Sequence, residues 1–435
     1  MAGASENFSM QIEVINTGSE LLLGRVLNTH QQWIGRRFAD LGYEISRQVA
    51  VPDTGDAIQR AVTEARERAD IIITTGGLGP TSDDRTRDLI AEMLDRPLKE
   101  DPAVVAHIEG FFTRRGRPMP ESVKVQALIP EGAIVIQNEF GTAPGLAMEI
   151  PRLADGRGAR WLVMLPGPPR ELRPMFDRQI LPWLQRDVLV PIGFACRTLR
   201  STGIGESRVE EMLAEPLAPL VAKGLEIGYC ARTGEVDVRV VARGDEAESV
   251  VGQAVDLIQG SFGSVIYGED DDQLHSVVVQ QLVETGKTLA LAESCTGGFL
   301  AHRITNVPGA SAVLDSGMVT YSNAAKVRML GVSQQTLDEH GAVSKATAKE
   351  MAEGARRSTG ADYALSVTGI AGPGGGTAEK PVGTVFIGLA DELGTRVVKC
   401  FNPVERESFK YMTSQQAFEI LRRTLLKNRQ GSQKE

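Results

Sequence analysis

Histidine is scarce in this chain, with five in 435 residues (His30, His107, His275, His302 and His340). No G-x-S-x-G surrounds Ser294, so a Ser-His-Asp hydrolase of the nucleophile-elbow type finds little support. Cysteine is equally sparse. Cys196, Cys230, Cys295 and Cys400 lie far apart and form no C-x-x-C pair, which argues against a disulfide framework and against a zinc site. No apolar run approaches the length of a bilayer span, and the opening MAGASENFSM has no basic region followed by an apolar one. Basic charge is in deficit, with 47 Lys and Arg against 56 Asp and Glu and a net charge of −9. Phosphate neutralisation needs a basic face, so no direct nucleic-acid partner is expected. No repeat at a fixed period and no low-complexity tract is present. These absences lead to the expectation of a reduced, cytoplasmic protein with no membrane partner.

What is present is ordinary globular sequence, 42% apolar and 24% charged, long enough for two to four domains. The first third alternates strand and helix. Gln11 to Ile15, Tyr43 to Val51 and the β-branched Ile71 to Thr75 read as strands. Helical spacing of Trp33, Ile34, Phe38 and Leu41, and the composition from Asp56 to Ala69, place helices between them. A β-α-β-α-β order implies a mainly parallel sheet with ligands at the strand C-termini. The last third repeats the theme, with strands at Thr288 to Ala292, Met318 to Tyr321 and Tyr363 to Thr368. Between the two lies an alternating strand from Glu235 to Val241 and a helix running through Asp256. The expected fold class is therefore α/β, with two α/β sandwich domains of mainly parallel sheets joined by a small α/β connecting domain.

Two turns carry chemistry. The first is Ala292-Glu293-Ser294-Cys295-Thr296-Gly297-Gly298, followed downstream by Tyr321-Ser322-Asn323-Ala324-Ala325-Lys326. A serine hydroxyl becomes a nucleophile when a base takes its proton, and a lysine whose pKa is lowered by burial is such a base. On the residues alone, the turn is also readable as a helix cap, Cys295 as a rival nucleophile or a small core residue, and Lys326 as a solvated surface lysine. The second turn is Thr75-Gly76-Gly77-Leu78-Gly79-Pro80-Thr81, followed by Asp83 and Asp84 at the opening of the next helix. Glycines let backbone N–H groups approach an anion, and the paired aspartates are candidates for Mg²⁺ beside a phosphate. It is neither a G-x-G-x-x-G fingerprint nor a P-loop, and capping by Thr81, Ser82 and Asp83 explains the residues equally well.

The motifs then point to a known family. AESCTGG (292–298), VPGAS (307–311), VTYSNAAK (319–326), GAVS (341–344), SVTGIAGPGGGT (366–377) and KPVGTVFIGLA (380–390) resemble, in order, the C-terminal domain of the CinA family. TGSELLLGRVLNTH (17–30), TTGGLGPTSDDRT (74–86), NEFGTAPG (138–145) and LPGPPREL (165–172) resemble its N-terminal, molybdopterin-binding-like domain. Ser19 stands where that family more often has threonine, and Pro168 where an aliphatic residue is common. The resemblance implies a molybdopterin-binding-like domain over residues 1–173, a connecting domain over 174–268, a nicotinamide-nucleotide amidase domain over 269–428 and a frayed tail over 429–435.

It further implies deamidation of nicotinamide mononucleotide, in pyridine-nucleotide salvage, by catalytic Ser294, Lys326, Tyr321 and Thr368. Tyr321 is expected to assist Lys326, and N–H groups near Thr296 and Gly297 to hold the oxyanion. Substrate binding falls to Thr296, Gly297, Gly298, Asn323, Gly369, Gly372, Gly375 and Arg406, with no cofactor at this site. The N-terminal nucleotide site is implied at Ser19, Glu20, Asn28, Gly76, Gly77, Gly79, Thr81, Asp83 and Asp84. There, as in some members, ADP-ribose is hydrolysed with a divalent metal such as Mg²⁺ on Asp84 and Asp83. A homodimer is implied as well. Two alternatives stand beside this reading: an N-terminal nucleotide-diphosphate hydrolase with a nucleotide-sensing C-terminal domain, and a non-enzymatic competence or damage adaptor.

Overall fold

The structure, a computed structural model, describes residues 10–151, 160–190 and 192–432, with side chains described to residue 429. It divides into two compact units, Met1–Phe194 and Ala195–Glu435.

In the first unit a six-stranded sheet begins with four parallel strands, ordered Ile45–Val51, Ile12–Thr17, Ile71–Thr75 and Arg160–Leu165. Antiparallel Gly145–Ile150 and Ile134–Ile136 complete it. Ile12–Thr17 and Ile71–Thr75 are buried throughout, as β-branched strands covered on both faces must be. Their alternate residues split between two apolar clusters, Ile15 and Ile72 on one face and Val14 and Ile73 on the other.

The expected domain boundary after residue 173 falls inside a continuous helical stretch. Pro174 would normally end a helix. The chain instead passes from Pro169–Met175 through a π turn at Phe176–Ile180 into Leu181–Asp187. Leu172, Phe176, Ile180 and Leu184 then pack on the sheet of the first unit.

The second unit holds a four-stranded sheet, ordered Glu226–Arg232, Glu235–Arg243, Phe194–Thr202 and Ile266–Glu269. The helices Glu206–Val221 and Ala247–Phe262 pack against it. A five-stranded sheet follows: Leu314–Val319, Leu289–Glu293 and Tyr363–Gly369 are parallel, then Thr384–Asp391 and Gly394–Phe401 run antiparallel. The α/β class expected from the pattern holds. The connecting segment shares this unit rather than standing apart: Tyr267 packs in the core of the larger sheet, and the Arg422 guanidinium donates to the Ser264 carbonyl. The closing helix runs Arg406–Ser432, so residues 429–432 of the expected frayed tail are helical, while 433–435 lie outside the described residues. Arg429 pairs with Glu284 at 3.1 Å.

The faces of the five-stranded sheet differ in size. Leu289, Leu291, Leu365 and Val367 face helices Leu274–Thr285, Phe299–Thr305 and Arg406–Ser432. Ala290, Ala292, Ala364 and Ala390 face helices Asn323–Leu330 and Lys345–Thr359. Small side chains let the second pair come close. The Ser366 hydroxyl donates to the Ala348 carbonyl at 2.6 Å, and a Cβ on Gly354 would lie 1.9 Å from the Leu330 carbonyl oxygen. Gly354 thus sets the approach of the helix that carries Lys326. In an open helix Gly→Ala stabilises by about 1 kcal/mol. Here overpacking should reverse the sign, and Gly354→Ala is expected to lower stability by roughly 1–3 kcal/mol in urea unfolding monitored by circular dichroism. An unchanged or raised midpoint would refute this packing.

Candidate functional site

Leu289–Glu293 is the central parallel strand of its sheet, and the chain turns at its C-terminal end. The Ser294 N–H donates to the Val367 carbonyl at 2.9 Å, which fixes the turn to the neighbouring strand. Gly297 and Gly298 then adopt φ of 63° and 94°, the left-handed region where a side chain is strained. The helix begins only at Phe299, and Ser294 does not cap it. That role belongs to buried Glu293, whose carboxylate accepts from the N–H groups of Gly298, Leu300 and Ala301 at 3.0, 3.1 and 2.8 Å. Sequence reasoning missed Glu293. An acidic residue next to a glycine turn at a helix start was the available signal.

Lys326 lies on the first turns of Asn323–Leu330, a helix capped by the Ser322 hydroxyl. It is only 1% exposed, so the solvated-lysine alternative fails. Its Nζ donates to Ser294 Oγ at 3.0 Å and to the carbonyls of Thr320 and Tyr321 at 2.8 and 3.4 Å. Among the described residues no carboxylate pairs with it, and burial lowers its pKa from the usual lysine value. Burial has the opposite effect on Cys295, pushing its thiol up to about 12. Cys295 sits in the apolar core and is no rival nucleophile.

The remaining expected residues divide. The strand before Tyr321 ends at Val319, and the tyrosine projects from the turn beyond, 61% exposed. Its phenol accepts from Arg406 Nη2 at 3.1 Å, and Arg406 Nη1 donates to the Gly372 carbonyl at 2.9 Å. Tyr321, Arg406 and Gly372 therefore form one group, while only the backbone carbonyl of Tyr321 reaches Lys326. Thr368 is buried and donates its hydroxyl to the Ala342 carbonyl at 2.7 Å. The Gly297 N–H is spent on the Ser294 carbonyl and cannot serve an oxyanion. Thr296 is different: among the described residues its N–H has no protein acceptor and its buried hydroxyl no partner. Asn323 is exposed at the helix start, Gly369 ends its strand, and Gly375 lies in the loop beyond Gly372. A cavity of about 550 Å³ lined by Phe299, Tyr411, Arg232 and Lys410 runs beside Arg406, but Ser294 does not line it.

In the first unit the ends of Ile12–Thr17, Ile71–Thr75 and Arg160–Leu165 open on a cavity of about 570 Å³. Glu20, Asn28, Gly76, Gly77, Gly79, Asp83 and Asp84 line it; Ser19 and Thr81 do not. Ser19 instead exchanges hydrogen bonds with Asp53. Asn28 caps Thr29–Ala39 by accepting from the Gln31 N–H. The glycine turn is packed without slack: a Cβ on Gly77 would lie 2.0 Å from Thr86 Oγ1, and one on Gly79 2.2 Å from Asp84 Oδ2. Among the described residues the N–H groups of Gly77, Leu78 and Gly79 take no protein acceptor, which leaves them available to an anion. The helix after it opens at Thr86, so neither Asp83 nor Asp84 belongs to it and Thr81 does not cap it. Burial lowers the pKa of His30, whose Nε2 donates to the Gly167 carbonyl at 2.6 Å.

Among the described residues no group of three His, Cys, Asp or Glu side chains is arranged to hold a metal. Magnesium with a nucleotide takes one or two protein carboxylates and completes its shell with phosphate and water. Exposed Asp83 fits that role. Asp84 fits less well, because its Oδ2 already accepts from the Thr81 N–H and hydroxyl at 3.1 and 2.5 Å.

Three family descriptions match the chain: probable molybdopterin binding domain over residues 13–186, damage-inducible protein CinA KH domain over 196–268, and CinA C-terminal domain over 271–425. The solved structure of competence/damage inducible protein CihA from Agrobacterium tumefaciens is 41% identical, covering 34% of this chain and 94% of that one with a TM-score of 0.33. That of the protein CinA from Thermoplasma acidophilum is 30% identical over 42% of this chain and 99% of that one, with a TM-score of 0.36. A CinA-like protein of Akkermansia muciniphila is 44% identical over 411 residues, 94% of this chain and 96% of that protein. Identity at that level along nearly the whole length places the chain in the CinA family.

Proposed function

We propose that the chain hydrolyses the carboxamide of nicotinamide mononucleotide to nicotinate mononucleotide and ammonia at Ser294. The observation that carries this reading is the buried Lys326 Nζ, 3.0 Å from Ser294 Oγ and without a carboxylate partner. In its neutral form the amine points two N–H bonds at the Thr320 and Tyr321 carbonyls and its lone pair at the serine hydroxyl. Ser294 Oγ bonds to the amide carbon as Lys326 takes the hydroxyl proton. The C–N bond then breaks, and the same proton leaves with ammonia. Water, deprotonated in turn by Lys326, releases the product acid. The Thr296 N–H and hydroxyl are the donors left for the oxyanion. Arg406 and Tyr321 are assigned to the nucleotide's phosphate end, and Thr368 to holding the loop at Ala342.

A second reading is supported by the first unit's cavity: three N–H groups in its wall are left for a phosphate, and exposed Asp83 for a divalent cation. This is the site of a phosphoanhydride hydrolase acting on ADP-ribose. When bound, the cation supplies charge neutralisation at the phosphates.

Ammonia release from nicotinamide mononucleotide tests the first reading. Ser294→Ala is expected to lose on the order of 10⁴–10⁶ in turnover, while Cys295→Ala keeps the wild-type rate. A folded wild type that releases no ammonia refutes it. For the second site, AMP is expected from ADP-ribose with Mg²⁺ and to vanish on chelation, whereas ammonia release at the first site continues undiminished.

A further inference from the structure

Two motifs of the first unit, NEFGTAPG and LPGPPREL, remain without a role in either site, and the structure joins them. Glu171 follows the loop after strand Arg160–Leu165 and lines the 570 Å³ cavity while being only 8% exposed. Asn138 donates from Nδ2 to Glu171 Oε2 at 2.9 Å and to the Ala143 carbonyl at 2.8 Å, and its Oδ1 accepts from the Phe140 N–H at 3.0 Å. Two of these bonds fix Asn138 to the backbone, and the third holds one carboxylate oxygen of Glu171. Gly141 shows how tightly that oxygen is seated: a Cβ there would lie 2.1 Å from Glu171 Oε2. Among the described residues the other oxygen, Oε1, has only the exposed Arg170 guanidinium, at 3.6 Å.

The wall around it holds five carboxylates, Glu20, Asp53, Asp83, Asp84 and Glu171, and no lysine or arginine. Asp53 and Asp84 are consumed by Ser19 and Thr81, and Glu20 and Asp83 are exposed. Glu171 alone is both buried and held in place. The Gly76 N–H donates to the Leu165 carbonyl at 2.9 Å, and a Cβ on Gly167 would lie 3.6 Å from Gly76 Cα, so the loop leading to Glu171 rests on the glycine turn. A second group in the wall asks for a ligand. Gln126 is 2% exposed and lines the cavity; its Nε2 donates to the Leu78 carbonyl at 3.2 Å, and its Oε1 has no partner among the described residues. A hydroxyl or amino group of a nucleotide supplies the missing donor.

Resting on the second reading above, we propose that Glu171 is the general base of phosphoanhydride hydrolysis in this cavity, that Asn138 positions it, and that Gln126 Oε1 accepts from the nucleotide. Glu171 Oε1 takes a proton from water. The water oxygen bonds to phosphorus as the bond from phosphorus to the bridging oxygen breaks, and the bridging oxygen leaves with its electron pair on the second phosphate. The N–H groups of Gly77, Leu78 and Gly79 hold the non-bridging oxygens through the step.

The test uses the full chain with ADP-ribose and Mg²⁺, alongside calorimetric binding of AMP without metal. Glu171→Gln is expected to lower kcat by about 10²–10⁴ while KM and AMP affinity hold, and Asn138→Ala to lower kcat less. Gln126→Ala should do the reverse, weakening AMP binding and raising KM with kcat kept. If Glu171→Gln does not fold, Glu171→Asp decides, because it keeps the charge but withdraws the carboxylate by one methylene. Wild-type kcat in the folded variant overturns the proposal and leaves the hydrolase reading standing. Absence of hydrolysis by wild type that still binds AMP overturns both.

Discussion

A lysine sealed under a serine, with no carboxylate paired to it among the described residues, is the constraint on which the Ser294 site depends. Moving an ammonium out of water is costly, and most buried lysines are paired. Lys326 has two backbone carbonyls and a hydroxyl instead. Burial favours the neutral amine, and with two N–H bonds on the carbonyls its lone pair is left for the serine hydroxyl. The surrounding fold serves this pair. The alanine face of the sheet and Gly354 let the lysine's helix come close, and the fixed turn after Leu289–Glu293 presents the serine from the other side. Glu293, the nearest acid in sequence, is kept occupied by three helix N–H groups.

The first unit reaches a different chemistry by the same architectural rule, with a site at the C-terminal ends of parallel strands. Here the polarity is split. Among the described residues, backbone N–H groups without a protein acceptor lie in the glycine turn, and the side-chain wall carries five carboxylates. The proposed phosphate and cation would meet these two kinds of wall. The two sites share neither residues nor a type of nucleophile, and each reading stands or falls independently of the other.

The seven strands read from β-branched runs and from alternation are present, with ends displaced by at most four residues, while the other ten among the described residues were not read. Ser294 and Lys326 were legible as candidates because the motifs carrying them are contiguous, whereas Arg406 lies beyond the last such motif. What the sequence left hidden was direction. Nothing local says that the Tyr321 phenol turns outward to Arg406, 85 residues away, while its carbonyl turns in to Lys326. Asn138 and Glu171 are 33 residues apart and meet only because two strands of the sheet bring their ends together. The helical stretch through Pro174 was illegible for another reason, since a proline that ordinarily stops a helix is absorbed here by a π turn.

The pH dependence of kcat/KM for nicotinamide mononucleotide tests the central claim most directly, because it reports the ionisation of the free enzyme's base. The neutral amine is the active form, so the rate rises with pH and levels off once Lys326 has lost its proton. Burial lowers that pKa from lysine's usual 10.5, which places the plateau below it. A rise that levels off below that value, by a single ionisation, is the result this account predicts. A rate still climbing tenfold per pH unit as it reaches 10.5 would contradict it.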